Sequence, residues 1–303
     1  MRFATYTHLG QRHVGQVSAD GLSVTPYVLT SAEAQRGVLS LIERAASFAS
    51  SGVAMPELAS ASVALSQVTL NAPIPHPRRN VFCVGRNYHA HAKELRDSVF
   101  KGDKGAVDEW PIVFSKVPET VVATGTDVLL PAEAVSGQID YEAELAVVIG
   151  TAGRNISRAD AMKHIYGYTI VNDVTARDVQ MRHSQWHLGK SFDTFCPMGP
   201  WIVSADALDG TDTRVRCWVT PAGGEEELRQ DSRTTELIFD IPTLIETCSR
   251  GITLLPGDVI ATGTPAGVGM AMTPPRWLRN GDVVRIAIDG IGSIQNRFVA
   301  EGK

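Results

Sequence analysis

The segment Asp140-Tyr141-Glu142-Ala143-Glu144-Leu145-Ala146-Val147-Val148-Ile149 carries an acid at every second position and then turns apolar. Strand side chains alternate faces with period two. The spacing therefore predicts Asp140, Glu142 and Glu144 on one face, continued by Ala146 and Val148, with Tyr141, Ala143, Leu145, Val147 and Ile149 on the other. Apolar residues on both faces at one end predict burial there and place the acids at the mouth of an enclosed space. Two carboxylates roughly 6–7 Å apart along a strand face repel each other unless something compensates. A divalent cation that takes oxygen ligands, such as Mg²⁺, does this. The same pattern also fits a solvent-facing acidic edge.

Further residues invite the chemical reading. Asp173 ends the apolar run Tyr168-Thr169-Ile170-Val171-Asn172-Asp173, and strand ends are where sites commonly form. Lys190, in Gly189-Lys190-Ser191-Phe192, could polarise a carbonyl or orient a carboxylate, or simply sit on the surface. His91 and Glu94 are three apart on a predicted helix and so share a face. A histidine oriented by a carboxylate is a general base for water; an exposed pair of this kind contributes little. The glycine-rich run Gly263-Thr264-Pro265-Ala266-Gly267-Val268-Gly269 has no following lysine and no GxGxxG spacing, so it is neither a P-loop nor a dinucleotide motif. It could offer backbone N–H groups to an anion or be a tight turn.

These residues need a scaffold. Short β-type runs dominate after residue 80, at 80–84, 112–116, 127–130, 139–149, 167–172, 201–203, 214–220, 258–262 and 283–288, with helical patterns only at 88–98, 157–165 and 241–249. Regular βαβ alternation is absent, which predicts an α+β fold rather than a doubly wound sheet. The first 70 residues read as three strands (2–8, 13–18 and 22–27) and an amphipathic helix over 31–50. Pro73, Pro75 and Pro77 force an extended linker. The expected division is a small accessory module, 1–70, and a catalytic domain, 75–303. Residues 101–110 read as a Gly-containing loop and a lid candidate.

Taken in order, the segments Gly85-Arg86-Asn87-Tyr88 with His91 and Glu94, Ile139 to Leu145, Asn172 to Gln180, Lys190 to Asp193, and Thr262 to Gly269 resemble the fumarylacetoacetate hydrolase family over about residues 80–300. The resemblance implies a mixed β-roll, a variable N-terminal module and a homodimer. It implies Mg²⁺ or Mn²⁺ (Ca²⁺ in crystals) on Glu142, Glu144 and Asp173, with His91, Glu94 and Lys190 catalytic. Arg86, Tyr88, Arg177, Gln180 and Thr264 match substrate-holding positions. A fourth metal carboxylate of larger members has no counterpart, since residues 71–88 contain no acid. That favours the shorter, acylpyruvate-type branch.

The implied reaction is hydrolysis of the C–C bond of a 2,4-diketo acid to pyruvate and a carboxylic acid. Two alternatives share its enolate chemistry, decarboxylation of oxaloacetate and isomerisation of a hydroxy-dienoate. A catalytically silent keto-acid binder is a further one. The substrate's distal group should meet the segment 181–187, whose cationic and aromatic residues suit an anionic or aromatic tail.

Composition narrows the partners. The 303 residues carry 28 Lys and Arg against 33 Asp and Glu, a net charge of −5, and hydrophobic residues make up 44%. The first 70 residues are neutral, so the negative charge falls in the remainder. A mildly acidic chain with no basic run lacks the electrostatic footprint of a nucleic-acid binder. No apolar run reaches the roughly 18 residues of a membrane span. Residues 1–8 lack the apolar core of a signal peptide. Four scattered cysteines, Cys83, Cys196, Cys217 and Cys248, predict buried thiols in a reducing compartment, hence the cytoplasm.

Overall fold

The computed structural model describes residues 1–98, 109–182 and 184–302. Its core is a 12-stranded mixed sheet, flanked by a five-stranded sheet and few helices. This matches the α+β expectation. Among the described residues no helix is long and apolar enough to cross a membrane.

One strand explains most of the architecture. Ala143–Ile149 is buried along its whole length. Tyr141, Ala143, Leu145, Val147 and Ile149 enter the larger apolar cluster, between the two sheets, whereas Ala146 and Val148 enter a second cluster. The period-two reading of its faces therefore holds. Ala143–Ile149 pairs antiparallel with Ile165–Asn172, Ala143 opposite Asn172, so Glu142 and Asp173 fall side by side. The Asp173 N–H donates to the Glu142 carbonyl at 2.9 Å. On its other edge Val259–Ala261 runs antiparallel, and Val81–Gly85 runs parallel to that. The loops after Asn172, Ala261 and Gly85 consequently emerge beside the start of the acidic strand.

The expected accessory module is hydrogen-bonded into the same sheet. Arg2–His8 pairs antiparallel with Cys196–Ser204, placing Phe3 opposite Ile202. Val38, Leu39, Leu41 and Ile42 pack in one cluster with Ala146, Val148, Met198 and Ile202.

Several predicted boundaries change. The single helix expected over 31–50 is two, Ser31–Gln35 and Leu39–Ser51. They are separated at Gly37, whose φ of +66° and contact with the Pro73 carbonyl leave no room for a side chain. The strand expected over 139–149 also breaks. Ile139–Asp140 pairs with Thr175–Ala176 in a small separate sheet. At the break the Glu142 N–H donates to the Asn172 side chain (3.1 Å) rather than to a strand carbonyl. The helix expected over 157–165 is only a 3₁₀ turn, Ala161–His164, because the Ser157 and Asp160 side chains cap each other and the local backbone. Two strands of the second sheet, Glu227–Arg233 and Gly292–Ala300, were not anticipated. All four cysteines are free and buried, as expected.

Gly267 is the most constrained turn position beside the site. Its φ is +107°, and a Cβ there would lie 1.8 Å from the Arg229 carbonyl oxygen. Gly267→Ala is expected to cost upwards of about 1–3 kcal/mol from backbone strain alone, read as a lowered urea midpoint. A midpoint equal to wild type would show that this loop relaxes freely.

Candidate active site

Glu142, Glu144 and Asp173 converge. Each offers a carboxylate oxygen, all within 4.8 Å of one another, and all three residues are buried. The cations around them are equally buried. Lys190 Nζ donates to Glu142 Oε2 (2.8 Å) and Asp173 Oδ2 (2.7 Å). The Arg177 guanidinium meets Glu142 Oε1 at 2.6 Å and donates to Asp140 Oδ2 at 3.0 Å. Lys116 Nζ donates to Asp173 Oδ1 at 2.8 Å and to the Val174 carbonyl at 3.0 Å.

The charges do not cancel. Four buried carboxylates, including Asp140, face three buried cations. Burial raises the Glu142 carboxyl, but Lys190 and Arg177 more than offset this and hold it well below the ordinary carboxylate range. Glu144 goes the other way, raised first by burial and then by the neighbouring Asp173 and Glu142 charges. It accepts the Gly263 N–H at 2.8 Å. An all-oxygen, buried cluster with surplus negative charge fits a hard divalent cation.

Asp140, grouped with the other acids by sequence, instead turns away. It accepts the N–H groups of Tyr141, Gly269 and Met270 as well as Arg177. It thereby anchors the guanidinium and the glycine-rich turn together. Arg177 also donates to Gln180 Oε1 at 3.2 Å.

The helix His89–Ser98 brings the paired residues over the cluster. His91 Nδ1 and Glu94 Oε2 are 3.1 Å apart, and Glu94 Oε1 accepts the Gly267 N–H at 2.9 Å. In the tautomer that places the proton on Nδ1, toward Glu94, the other ring nitrogen carries the lone pair. His91, Arg86, Arg177, Gln180, Lys190 and Thr264 line one pocket together with Glu142. Thr264 is fixed by donating to the Ala143 carbonyl and accepting from Gln230.

Not every expected residue reaches this pocket. Tyr88 lies in the core beside it, with its hydroxyl buried and lacking a hydrogen-bond partner. Of the segment 181–187, Met181 and Trp186 line the pocket, while His187 turns its Nδ1 to the Ser115 carbonyl (3.1 Å) and His183 lies outside the described residues. With Leu95 and Phe114 they make an apolar, partly aromatic wall, so the aromatic residue expected of this segment reaches the pocket while Arg182 and His187 do not line it. Residues 101–108 of the lid candidate also lie outside the described residues. Lys116 was missed. Its signal is the period-two run Ile112, Phe114, Lys116, a lysine ending a strand whose Phe114 faces the pocket.

This constellation can be set against known proteins. The sequence matches the family profile described as fumarylacetoacetate (FAA) hydrolase C-terminal over residues 80–299. The chain belongs to the fumarylacetoacetate hydrolase family. Oxaloacetate tautomerase YisK of Bacillus subtilis is 49% identical over 242 residues, covering 80% of this chain and 77% of that one. The solved fumarylacetoacetate hydrolase of Exiguobacterium antarcticum superposes with a TM-score of 0.82 at 38% identity, covering 99% and 100% of the two chains. A maleylpyruvate hydrolase from Sphingobium, solved with manganese(II) and pyruvate, gives 0.75 at 31% identity, with both chains covered fully. The chain is thus an enzyme of the fumarylacetoacetate hydrolase family with a buried carboxylate triad able to hold a divalent metal.

Proposed function

We propose that this enzyme interconverts the keto and enol forms of a small 2-oxo acid of the oxaloacetate type, using a divalent cation held by Glu142, Glu144 and Asp173. The likeness to an oxaloacetate tautomerase across four-fifths of the chain supports enolate chemistry on an oxaloacetate-type acid, the chemistry shared by the decarboxylase and isomerase alternatives, over the hydrolysis first expected from the sequence. The observation that carries the reading is His91. Its Nδ1 is taken by Glu94, and the ring lines the same pocket as Glu142. Tautomerisation needs a single group that moves a proton between carbon and oxygen, and His91 is placed to be that group.

The bound cation would supply Lewis acidity, stabilising negative charge on the 2-oxo oxygen. The protein's part is as follows. Arg177, Gln180 and Thr264 hold the 1-carboxylate and the 2-oxo group. His91 removes a C3 proton, the C3–H electron pair becomes the C2–C3 double bond, and the π pair of the C2 carbonyl moves onto the 2-oxo oxygen. Lys190, fixed between Glu142 and Asp173, adds positive charge beside that oxygen. The protonated His91 returns its proton to the oxygen, giving the enol and restoring the neutral ring. The apolar wall of Leu95, Phe114, Met181 and Trp186 limits water.

A second reading, C–C hydrolysis, draws on the same His91–Glu94 pair, which could deprotonate water instead. One assay separates them. The enol absorbance of freshly dissolved oxaloacetate is followed with Mn²⁺, Mg²⁺ or EDTA, with pyruvate measured in parallel. Metal-dependent acceleration of the keto–enol relaxation without matching pyruvate is the expected result. No acceleration, together with metal-dependent pyruvate release from acylpyruvates, would establish the hydrolase.

A further inference from the structure

Asp173 is held on both carboxylate oxygens, and only one of its two lysines faces the pocket. Lys190 takes Oδ2 and lines the pocket. Lys116 takes Oδ1 from behind, on the strand Ile112–Lys116, and is fully buried. Its ammonium is itself pinned by the Val174 carbonyl, one residue beyond Asp173. The terminal torsion of an aspartate is broad and roughly two-fold, so the carboxylate plane needs an external constraint. The Asp173 main chain is already fixed by its N–H bond to Glu142.

We infer that Lys116 is a positioning residue for the cation site: it sets the rotation of the Asp173 carboxylate so that the other oxygen faces Glu142 and Glu144. The inference rests on the metal-dependent reading above. Partners of ligating carboxylates on the side away from the metal commonly tune affinity in this way.

Two competing accounts make different predictions for the neutral variant Lys116→Met. If Lys116 acted through its charge alone, removing a cation beside the site would tighten binding of a divalent cation. If it served folding alone, melting temperature would fall and affinity would not move. Positioning predicts weaker binding, because the freed carboxylate no longer presents its oxygen.

The experiment is isothermal titration of the full chain with Mn²⁺, supported by the Mn²⁺ paramagnetic resonance spectrum. Lys116→Met is expected to weaken Mn²⁺ binding by roughly 10–100-fold and to alter the spectrum. Should Lys116→Met fail to fold, Lys116→Gln, too short to span both acceptors, carries the same expectation. Equal or tighter binding by the folded variant overturns the role of Lys116 and leaves the metal reading standing. A wild-type chain that takes up no Mn²⁺ overturns both.

Discussion

Glu144→Gln should abolish the stabilisation of this protein by Mn²⁺ while leaving the metal-free protein at least as stable as wild type. The two halves have opposite electrostatic origins. With a cation present, a carboxylate about 4 Å away is worth about 4 kcal/mol per unit of ion charge at an effective dielectric of 20, so its loss should weaken binding by roughly a thousandfold or more. Without the cation, Glu144 is a buried carboxylate pushed up by its surroundings and by Asp173 and Glu142, and a neutral amide relieves that repulsion. Melting curves in Mn²⁺ and in EDTA give both halves at once. A ligand at a hundred times its dissociation constant stabilises by about 2.7 kcal/mol, a shift easily read in wild type and expected to vanish in the variant. A variant that loses stability in EDTA would instead make Glu144 part of the structural core.

The second large effect concerns the proton. His91→Ala should lower kcat for keto–enol exchange by roughly a hundred- to ten-thousandfold, the range of a positioned acid–base group. Mn²⁺ affinity should stay at the wild-type value, because His91 is paired with Glu94 and is not one of the three converging ligands. Glu94→Gln should give a smaller loss. It leaves the imidazole in place but removes the charge that sets its tautomer, and it weakens the tie to Gly267. Full activity in His91→Ala would assign proton transfer elsewhere and end the proposed mechanism.

The acids were legible because they obey one local rule. Glu142 and Glu144 lie two apart at the start of one strand, Glu144 within Ala143–Ile149 and Glu142 just before it, and their alternation with apolar neighbours records which way they face. His91 and Glu94 follow a similar local rule on a helix. For Lys116 the alternation within 112–116 gives the face but not the partner, because Asp173 is 57 residues away, just past the end of the strand Ile165–Asn172. Asp140 fits the same alternation as Glu142, yet the chain bends between them, so its target became Arg177. The strand Glu227–Arg233 escaped because it is highly polar; what supports it is a cross-strand partner, as in the Arg214–Asp231 ion pair at 2.6 Å. Strands that carried their own apolar pattern, such as Ile112–Lys116, Arg214–Thr220 and Val283–Ile288, agreed with the sequence to the residue.

The pairing of Arg2–His8 with Cys196–Ser204 bears on how the protein can be cut. The family match begins at residue 80, which invites expression of the remainder alone. Such a truncation would strip Phe3 from Ile202 and leave main-chain donors and acceptors of Cys196–Ser204 open to solvent. It would also uncover Ala146, Val148, Met198 and Ile202 where Leu39, Leu41 and Ile42 now lie. An unpaired strand beside a bared apolar surface is a template for aggregation. Solubility of the shortened protein, rather than its chemistry, would be the first casualty.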